Sequence, residues 1–299
     1  MSGFELQLSD ALAGAVEKNA GSLVRVEARM HRGSTGVVWN DQGVIVTAHH
    51  AVERDENIGV VLADGKTVPA TLVGRDPGTD LAVLRVETAP AATPAVWREL
   101  DGVKVGHLAL TLARPGRSVR AVLGIVGAMG TEEFHTPAGG RIDHYVQTDT
   151  APRHGFSGGV VALADGGLIG LNTSGLLRDT NVVIPAVTLR RVVEQLLSHG
   201  HPRRGYLGVG VYPVRLAPAL EQGLAQRFGA IVVSLEPGSP ADRAGILQGD
   251  VLVTLDGEPI ARPMDLSALL ESRVDKTVPV RLVRAGAALE VSITPAARG

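Results

Sequence analysis

The chain has no cysteine, which excludes disulfides and thiolate chemistry. Aromatic residues make up 3% of its 299 residues, so Val, Leu, Ile and Ala must fill the core. The formal net charge is -2 and no basic block interrupts the sequence. With neither a basic patch nor an aromatic platform, nucleic acid is not expected as a principal partner. No apolar run reaches the roughly 18–20 residues needed to cross a bilayer. The opening stretch Met1–Asp10 lacks a basic region followed by an apolar one. These absences lead to the expectation of a cytoplasmic protein, or of a periplasmic or exported one if a leader has been removed. The histidines do not form a helical His-x-x-x-His pair, so neither a metal nor a cofactor is expected.

Hydrophobic residues are 44% of the chain, and its length suggests two domains. From about Ser22 to Pro185, short β-rich runs such as Gly43-Val44-Ile45-Val46 and Leu81–Val86 are punctuated by Gly, Pro and Asp. Many short strands between turns predict a mainly β barrel or sandwich. A short helix is expected around Ser9–Lys18 with Ser9 as its cap. Leu189, Val192, Val193, Leu196 and Leu197 recur at helical spacing and are closed by Gly200 and Pro202. The first domain is therefore placed at residues 1–199, with an N-terminal segment of about 1–21, and a linker at 200–204. Residues 205–299 have their own pattern: strand Ala230–Leu235, a helix capped by Ser239, strand Val251–Leu255 with the turn Asp256-Gly257, helix Asp265–Arg273, and two closing strands. This predicts an α+β domain.

Three segments carry chemistry. Gly155-Phe156-Ser157-Gly158-Gly159 offers a hydroxyl in a glycine-rich turn, where the N–H groups of Gly155 and Ser157 could face a developing oxyanion. On this pentapeptide alone, a hairpin with an incidental serine is the alternative. Thr47-Ala48-His49-His50 ends a strand and offers a base of near-neutral pKa. Asp80 enters an apolar strand after the turn Asp76-Pro77-Gly78-Thr79, where burial demands a hydrogen-bond donor such as a histidine N–H. Asp76 suits the humbler role of capping its own turn. A hydroxyl needs a base and the base an orienting acid, so together these segments point to nucleophilic hydrolysis.

These residues resemble the HtrA (DegP-like) family of chymotrypsin-fold serine proteases. The family's Gly-Ser-Gly-Val and Thr-Asn-Asn-His-Val appear as Gly33-Ser34-Thr35-Gly36-Val37 and Thr47-Ala48-His49-His50-Ala51, which selects His50 over His49. Its Asp-Pro-x-Thr-Asp run appears as Asp76–Asp80, and its Gln-Thr-Asp-Ala before Gly-Asn-Ser-Gly-Gly as Gln147-Thr148-Asp149-Thr150 before Gly155–Gly159. Arg204-Gly205-Tyr206-Leu207-Gly208-Val209 and Ser239-Pro240-Ala241…Gly249-Asp250 are similar to its PDZ domain. The resemblance implies a mainly β, chymotrypsin-like double barrel followed by an α+β PDZ domain. It implies a serine endopeptidase acting on unfolded or misfolded polypeptides, with His50, Asp80 and Ser157 catalytic and Gly155 and Ser157 forming the oxyanion hole. Ala151, Asn172 and Thr173 are then expected at the substrate pocket. With an apolar residue at Ala151, cleavage after small or medium aliphatic residues is expected. Peptide C-termini are expected at Tyr206, Leu207, Gly208, Val209 and Leu266. A homotrimer follows, with Phe4 a candidate contact. A catalytically silent chaperone or peptide-binding adaptor is the alternative.

Three departures stand out. Phe156 replaces the Asn or Asp usual before the nucleophile, and the family's Gly-Asn-Pro segment reads Leu112-Ala113-Arg114-Pro115-Gly116. The stretch from Arg29 to Gly33 is very short where some relatives carry a long regulatory loop.

Overall fold

Six strands dominated by Val, Leu and Ile close the first barrel: β1 (Leu23–Glu27), β2 (Ser34–Val38), β3 (Val44–Ala48), β4 (Ile58–Val61), β5 (Thr67–Asp76) and β6 (Leu81–Val86). Their spatial order is β1-β2-β3-β6-β5-β4, and β4 pairs back onto β1. The computed structural model describes residues 3–30, 32–87 and 92–298; His31, inside the short Arg29–Gly33 stretch, lies outside them. The second barrel uses β7 (Leu108–Ala113), β8 (Arg120–Met129), β11 (Val146–Thr148), β12 (Val160–Leu163), β13 (Leu168–Thr173) and β14 (Asn181–Pro185). A small hairpin of β9 (Phe134–His135) and β10 (Arg141–Ile142) projects between β8 and β11.

Alternation along each strand explains how two barrels share one core. Successive side chains point to opposite faces. Val24, Val26, Ile45, Ala82 and Leu84 therefore fill the first barrel. Their neighbours Leu23, Val44, Val46, Leu81 and Val83 face a joint core with Leu112, Val160, Leu171 and Ile184 of the second. Val161, Leu163, Ile169 and Val183 fill the second barrel itself. Strands such as β2 and β3 are consequently buried along their whole length. Each such Leu or Ile contributes about 1.5–3 kcal/mol through burial.

Helix α2 (Ala186–His199) adds its apolar face Leu189, Val192, Val193 and Leu196 to the joint core and ends at Gly200 in the left-handed conformation. Thr188 and Arg191 on α2 bind the Asp143 carboxylate at 2.7 and 3.0 Å. Burial works against the charged carboxylate, yet Arg191, the Thr188 hydroxyl and Arg141 hold its pKa below the ordinary value. A depressed carboxylate contributes stability that is present above its unfolded pKa, near 4, and lost as pH falls through the folded value. Asp143→Asn is accordingly expected to cost about 1–2 kcal/mol at neutral pH, and the deficit should shrink below pH 4. Denaturant unfolding of the full chain against pH checks it; a constant deficit would contradict the ion-pair account.

The N-terminal helix corrects one expectation. It runs over α1 (Gly3–Ala20), so Ser9 is an interior residue and not a cap. The residues before Ser9, from Phe4 to Leu8, contain no breaker and propagate the helix. Its C-terminal end is tied down by Asn19, whose amide donates to the Gly166 carbonyl at 3.0 Å.

By its internal contacts the chain divides into Met1–Pro202 and Arg203–Gly299. The second unit is a sheet in the order β16-β17-β18-β20-β21, formed by β16 (Val209–Arg215), β17 (Phe228–Leu235), β18 (Val251–Leu255), β20 (Val278–Arg284) and β21 (Ala287–Ile293). Strand β19 (Glu258–Pro259) pairs with β18, and β15 (Arg204–Tyr206) with β22 (Ala296–Arg298). The helices are α3 (Pro218–Leu224), α4 (Pro240–Arg243) and α5 (Pro263–Glu271). Ser239 caps α4 by accepting the Asp242 N–H. Positive φ at Asp256 and Gly257 makes the tight β18–β19 turn. The mainly β double barrel and the α+β second unit are both present.

Candidate active site

Three chain segments at strand ends converge. Strand β3 delivers His49–Ala51 as a single 3-10 turn. The β5–β6 turn delivers Asp80, and the loop before β12 delivers Ser157. Asp80 is 3% exposed, so its carboxylate must find donors. It accepts the His50 backbone N–H at 2.9 Å and lies 2.7 Å from His50 Nδ1. The Thr173 hydroxyl also donates to it. An ionised carboxylate only accepts, so His50 Nδ1 carries the proton and Nε2 is left as the basic nitrogen. Asp80 holds this position with φ at +56°, a conformation that Asp tolerates better than most residues. Asp76, by contrast, binds its own turn through the Gly78 N–H and the Thr79 hydroxyl.

His49 points elsewhere. Burial lowers its pKa, and the nearby Arg75 guanidinium lowers it further. Its backbone N–H donates to the Asp80 carbonyl at 2.9 Å, so it helps to fix the turn that presents His50.

Ser157 is 6% exposed and lines, with His50, a cavity of about 180 Å³. Its Oγ pairs with Ser174 Oγ at 3.2 Å. The turn before it is defined by the Phe156 N–H donating to the Arg153 carbonyl at 3.2 Å, with Gly155 at φ +79°. Positive φ at the third turn position is type II geometry and requires glycine here. A side chain at Gly155 would also strike Pro115. Among the described residues, the N–H groups of Gly155 and Ser157 donate to no protein acceptor. Both are therefore available to an oxygen in the cavity.

The turn is held from behind by residues that motif reading passed over. Thr35, fully buried in β2, donates its hydroxyl to the Gly155 carbonyl at 2.7 Å and accepts the Arg114 N–H at 2.9 Å. Its own N–H reaches the Ser157 carbonyl. Arg114 is 8% exposed, and its guanidinium donates to the carbonyls of Ala20, Leu23 and Arg117. The departure at Arg114 thus ties the end of α1 and the start of β1 to the turn-holding residue. The departure at Phe156 is also absorbed by packing: its side chain is buried, and its carbonyl accepts the Gly159 N–H and the Asn172 amide. Gly175 covers the His50–Asp80 pair so closely that an added Cβ would lie 2.5 Å from His50 Nδ1. The sequence signal for Thr35 was its place in the Gly33–Val37 motif and that for Arg114 its departure from the family's Gly-Asn-Pro segment; Gly175 had none beyond its neighbours.

Of the three residues expected at the substrate pocket, none lines this cavity. Ala151 is exposed, whereas Pro152 beside it is among the lining residues. Asn172 and Thr173 are buried, engaged with Phe156 and Asp80.

Comparison with known proteins follows this geometry. Residues 34–171 match the trypsin-like peptidase domain and residues 231–284 the PDZ domain. The probable periplasmic serine endoprotease DegP-like of Chlamydia pneumoniae is 33% identical over 267 residues, covering 87% of this chain and 54% of that protein. The solved structure described as HtrA-type protease AlgW with decapeptide superposes with a TM-score of 0.79 at 26% identity, over 96% of this chain and 99% of the other. The chain belongs to the HtrA family. A serine endoprotease from Yersinia pestis superposes similarly, with a TM-score of 0.78 at 27% identity, over 96% of this chain and 98% of the other. This HtrA chain spans about half the length of the curated relatives it matches.

In the HtrA PDZ unit, β16 is the edge strand of its sheet. The loop before it leaves the Leu207 and Gly208 N–H groups without an acceptor among the described residues, with Gly208 at φ +82°. Consecutive unpaired N–H groups form a concavity suited to a carboxylate. Val209 starts the edge strand, and the Tyr206 hydroxyl is held by Glu236. The side chains of Leu207 and Leu266 are both buried in the core of this unit. Leu266 therefore supplies packing, and Leu269, partly exposed on the same helix, is the leucine with surface to offer.

Proposed function

We propose that this chain is a serine endopeptidase acting on unfolded or misfolded polypeptides, with His50, Asp80 and Ser157 catalytic. The observation that carries the reading is the buried Asp80 fixing Nδ1 of His50, which lines one cavity with Ser157, at a turn whose Gly155 and Ser157 N–H groups have no acceptor among the described residues. In this mechanism Ser157 Oγ leaves Ser174, gives its proton to His50 Nε2 and attacks the substrate carbonyl. The Gly155 and Ser157 N–H groups take the oxyanion, each worth on the order of 10²–10³ in rate. His50 then protonates the leaving amine, and later deprotonates the water that hydrolyses the acyl-enzyme. Asp80 stays ionised and stabilises the imidazolium. In the free chain Ser157 Oγ is paired with Ser174 and not with His50, so the His50–Ser157 hydrogen bond of this mechanism forms when substrate arrives.

The PDZ unit receives a peptide C-terminus on the Leu207 and Gly208 N–H groups, and the peptide extends along the free edge of β16. Peptide-bound HtrA structures support this partner class. Phe4, 73% exposed on α1, and Leu6 offer an apolar contact for a homotrimer. The relatives named periplasmic support a periplasmic location over the cytoplasmic one that the N-terminus suggested. Incubation with a permanently unfolded protein tests the reading. The wild type degrades it and Ser157→Ala does not; equal stability of the substrate with both would leave the adaptor alternative, which the Ser157–Ser174 pairing favours.

A further inference from the structure

The cavity at Ser157 is basic on one side and unbalanced. Arg29, Arg153 and His154 line it, and among the described residues no carboxylate does. Arg29 is already engaged, with Glu53 at 3.2 Å and the His50 carbonyl. Asp80 lies behind His50 and is saturated by His50 and Thr173. The side chains of Arg153 and His154 are exposed and have no hydrogen-bond or ion-pair partner among the described residues. The same cavity contains an unmet donor. Ser34 is 1% exposed, lines the cavity, and its Oγ has no partner. A buried hydroxyl without a partner is costly, and a guanidinium in a cleft that no carboxylate lines attracts anions.

We infer that this cavity takes a carboxylate of the substrate chain close to the scissile bond, with Ser34 Oγ donating to it and Arg153 supplying the charge. The inference rests on the endopeptidase reading. The size fits: about 180 Å³ admits an Asp or Glu side chain, or a chain terminus, beside the reacting carbonyl. A polar, cationic lining then makes this enzyme select for acidic residues near the cut. Lysine or arginine there meets like charge and is disfavoured.

The test uses the full chain and N-acetylated, C-amidated peptides with one cleaved bond, paired so that Asp replaces Asn at each position flanking it. A third set ends in a free carboxylate at the same positions. At one position the Asp peptide should show a kcat/KM about tenfold above its Asn partner. That ratio should fall toward one in Arg153→Gln, in Ser34→Ala, and at ~0.5 M salt, where charges are screened within a few ångströms. A gain confined to the free-carboxylate set identifies the source as a chain terminus. Ratios of one throughout, or a preference that survives Arg153→Gln, overturn the inference. Should no peptide be cleaved, affinities of the same peptides for Ser157→Ala, with and without Arg153→Gln, decide it in the same way. Loss of cleavage alone speaks against the endopeptidase reading, and loss of the Asp–Asn difference against the subsite.

Discussion

Asp80→Asn lowers kcat/KM for peptide hydrolysis by about 10⁴-fold. The buried carboxylate accepts from the His50 backbone, from His50 Nδ1 and from Thr173. Asparagine preserves the shape but brings an amide that donates. Placed toward His50, that amide forces the ring proton from Nδ1 to Nε2, and the nitrogen needed to take the Ser157 proton is then already protonated. In the other orientation the amide would meet the His50 backbone N–H, donor against donor, so the side facing His50 Nδ1 and Thr173 is the one it takes. The base is then lost while the fold is kept, because the amide oxygen still accepts the His50 backbone N–H and the amide nitrogen donates to the ring and the Thr173 hydroxyl. Steady-state kinetics with an unchanged unfolding midpoint would establish this. A loss below about tenfold would remove Asp80 from the mechanism.

Thr35→Val lowers kcat by about 10²-fold, comparable to losing one oxyanion donor. Valine matches threonine in shape and removes the hydroxyl that links the Gly155 carbonyl to the Arg114 N–H. The Gly155–Phe156 peptide is then free to rotate, and the type II turn that exposes the Gly155 N–H loses its anchor. Two buried backbone groups lose their partner, so a stability loss of about 1–3 kcal/mol accompanies the change. A merely structural role would lower stability without separating kcat from KM. Thr35 as a positioning residue predicts that kcat falls while KM stays within a few-fold, and that Thr35→Ser recovers most of the rate. Failure of serine to rescue would point to packing of the methyl group instead.

The legible parts of this protein are those written in local pattern. Strand alternation separates barrel interiors from the joint core, as Ile45 and its neighbours Val44 and Val46 show. Helix α2 is visible in the spacing of Leu189, Val192, Val193 and Leu196, with Gly200 to stop it. The His50–Asp80 pairing is readable because a carboxylate entering an apolar strand requires a donor. What stays hidden depends on contacts far apart in sequence. Thr35 meets Gly155 across 120 positions, and Arg114 meets Ala20 across 94. Ala151 is expected from resemblance alone, and its exposure depends on the course of the loop before Ser157, which local pattern does not encode. The length of α1 was missed for a different reason: Ser9 is a good cap, but nothing before it stops the helix. Strands β15 and β22 are too short to carry a period of their own, and their pairing joins the two ends of the second unit.

The central claim is that Ser157 is a nucleophile activated by His50 and Asp80. Reaction of the full chain with a fluorophosphonate, read by intact mass and peptide mapping, tests it most directly. The prediction is one adduct per chain at Ser157, absent in Ser157→Ala and formed far more slowly in Asp80→Asn. A wild-type chain that acquires no adduct, alone or with a peptide bound at its PDZ unit, would contradict it.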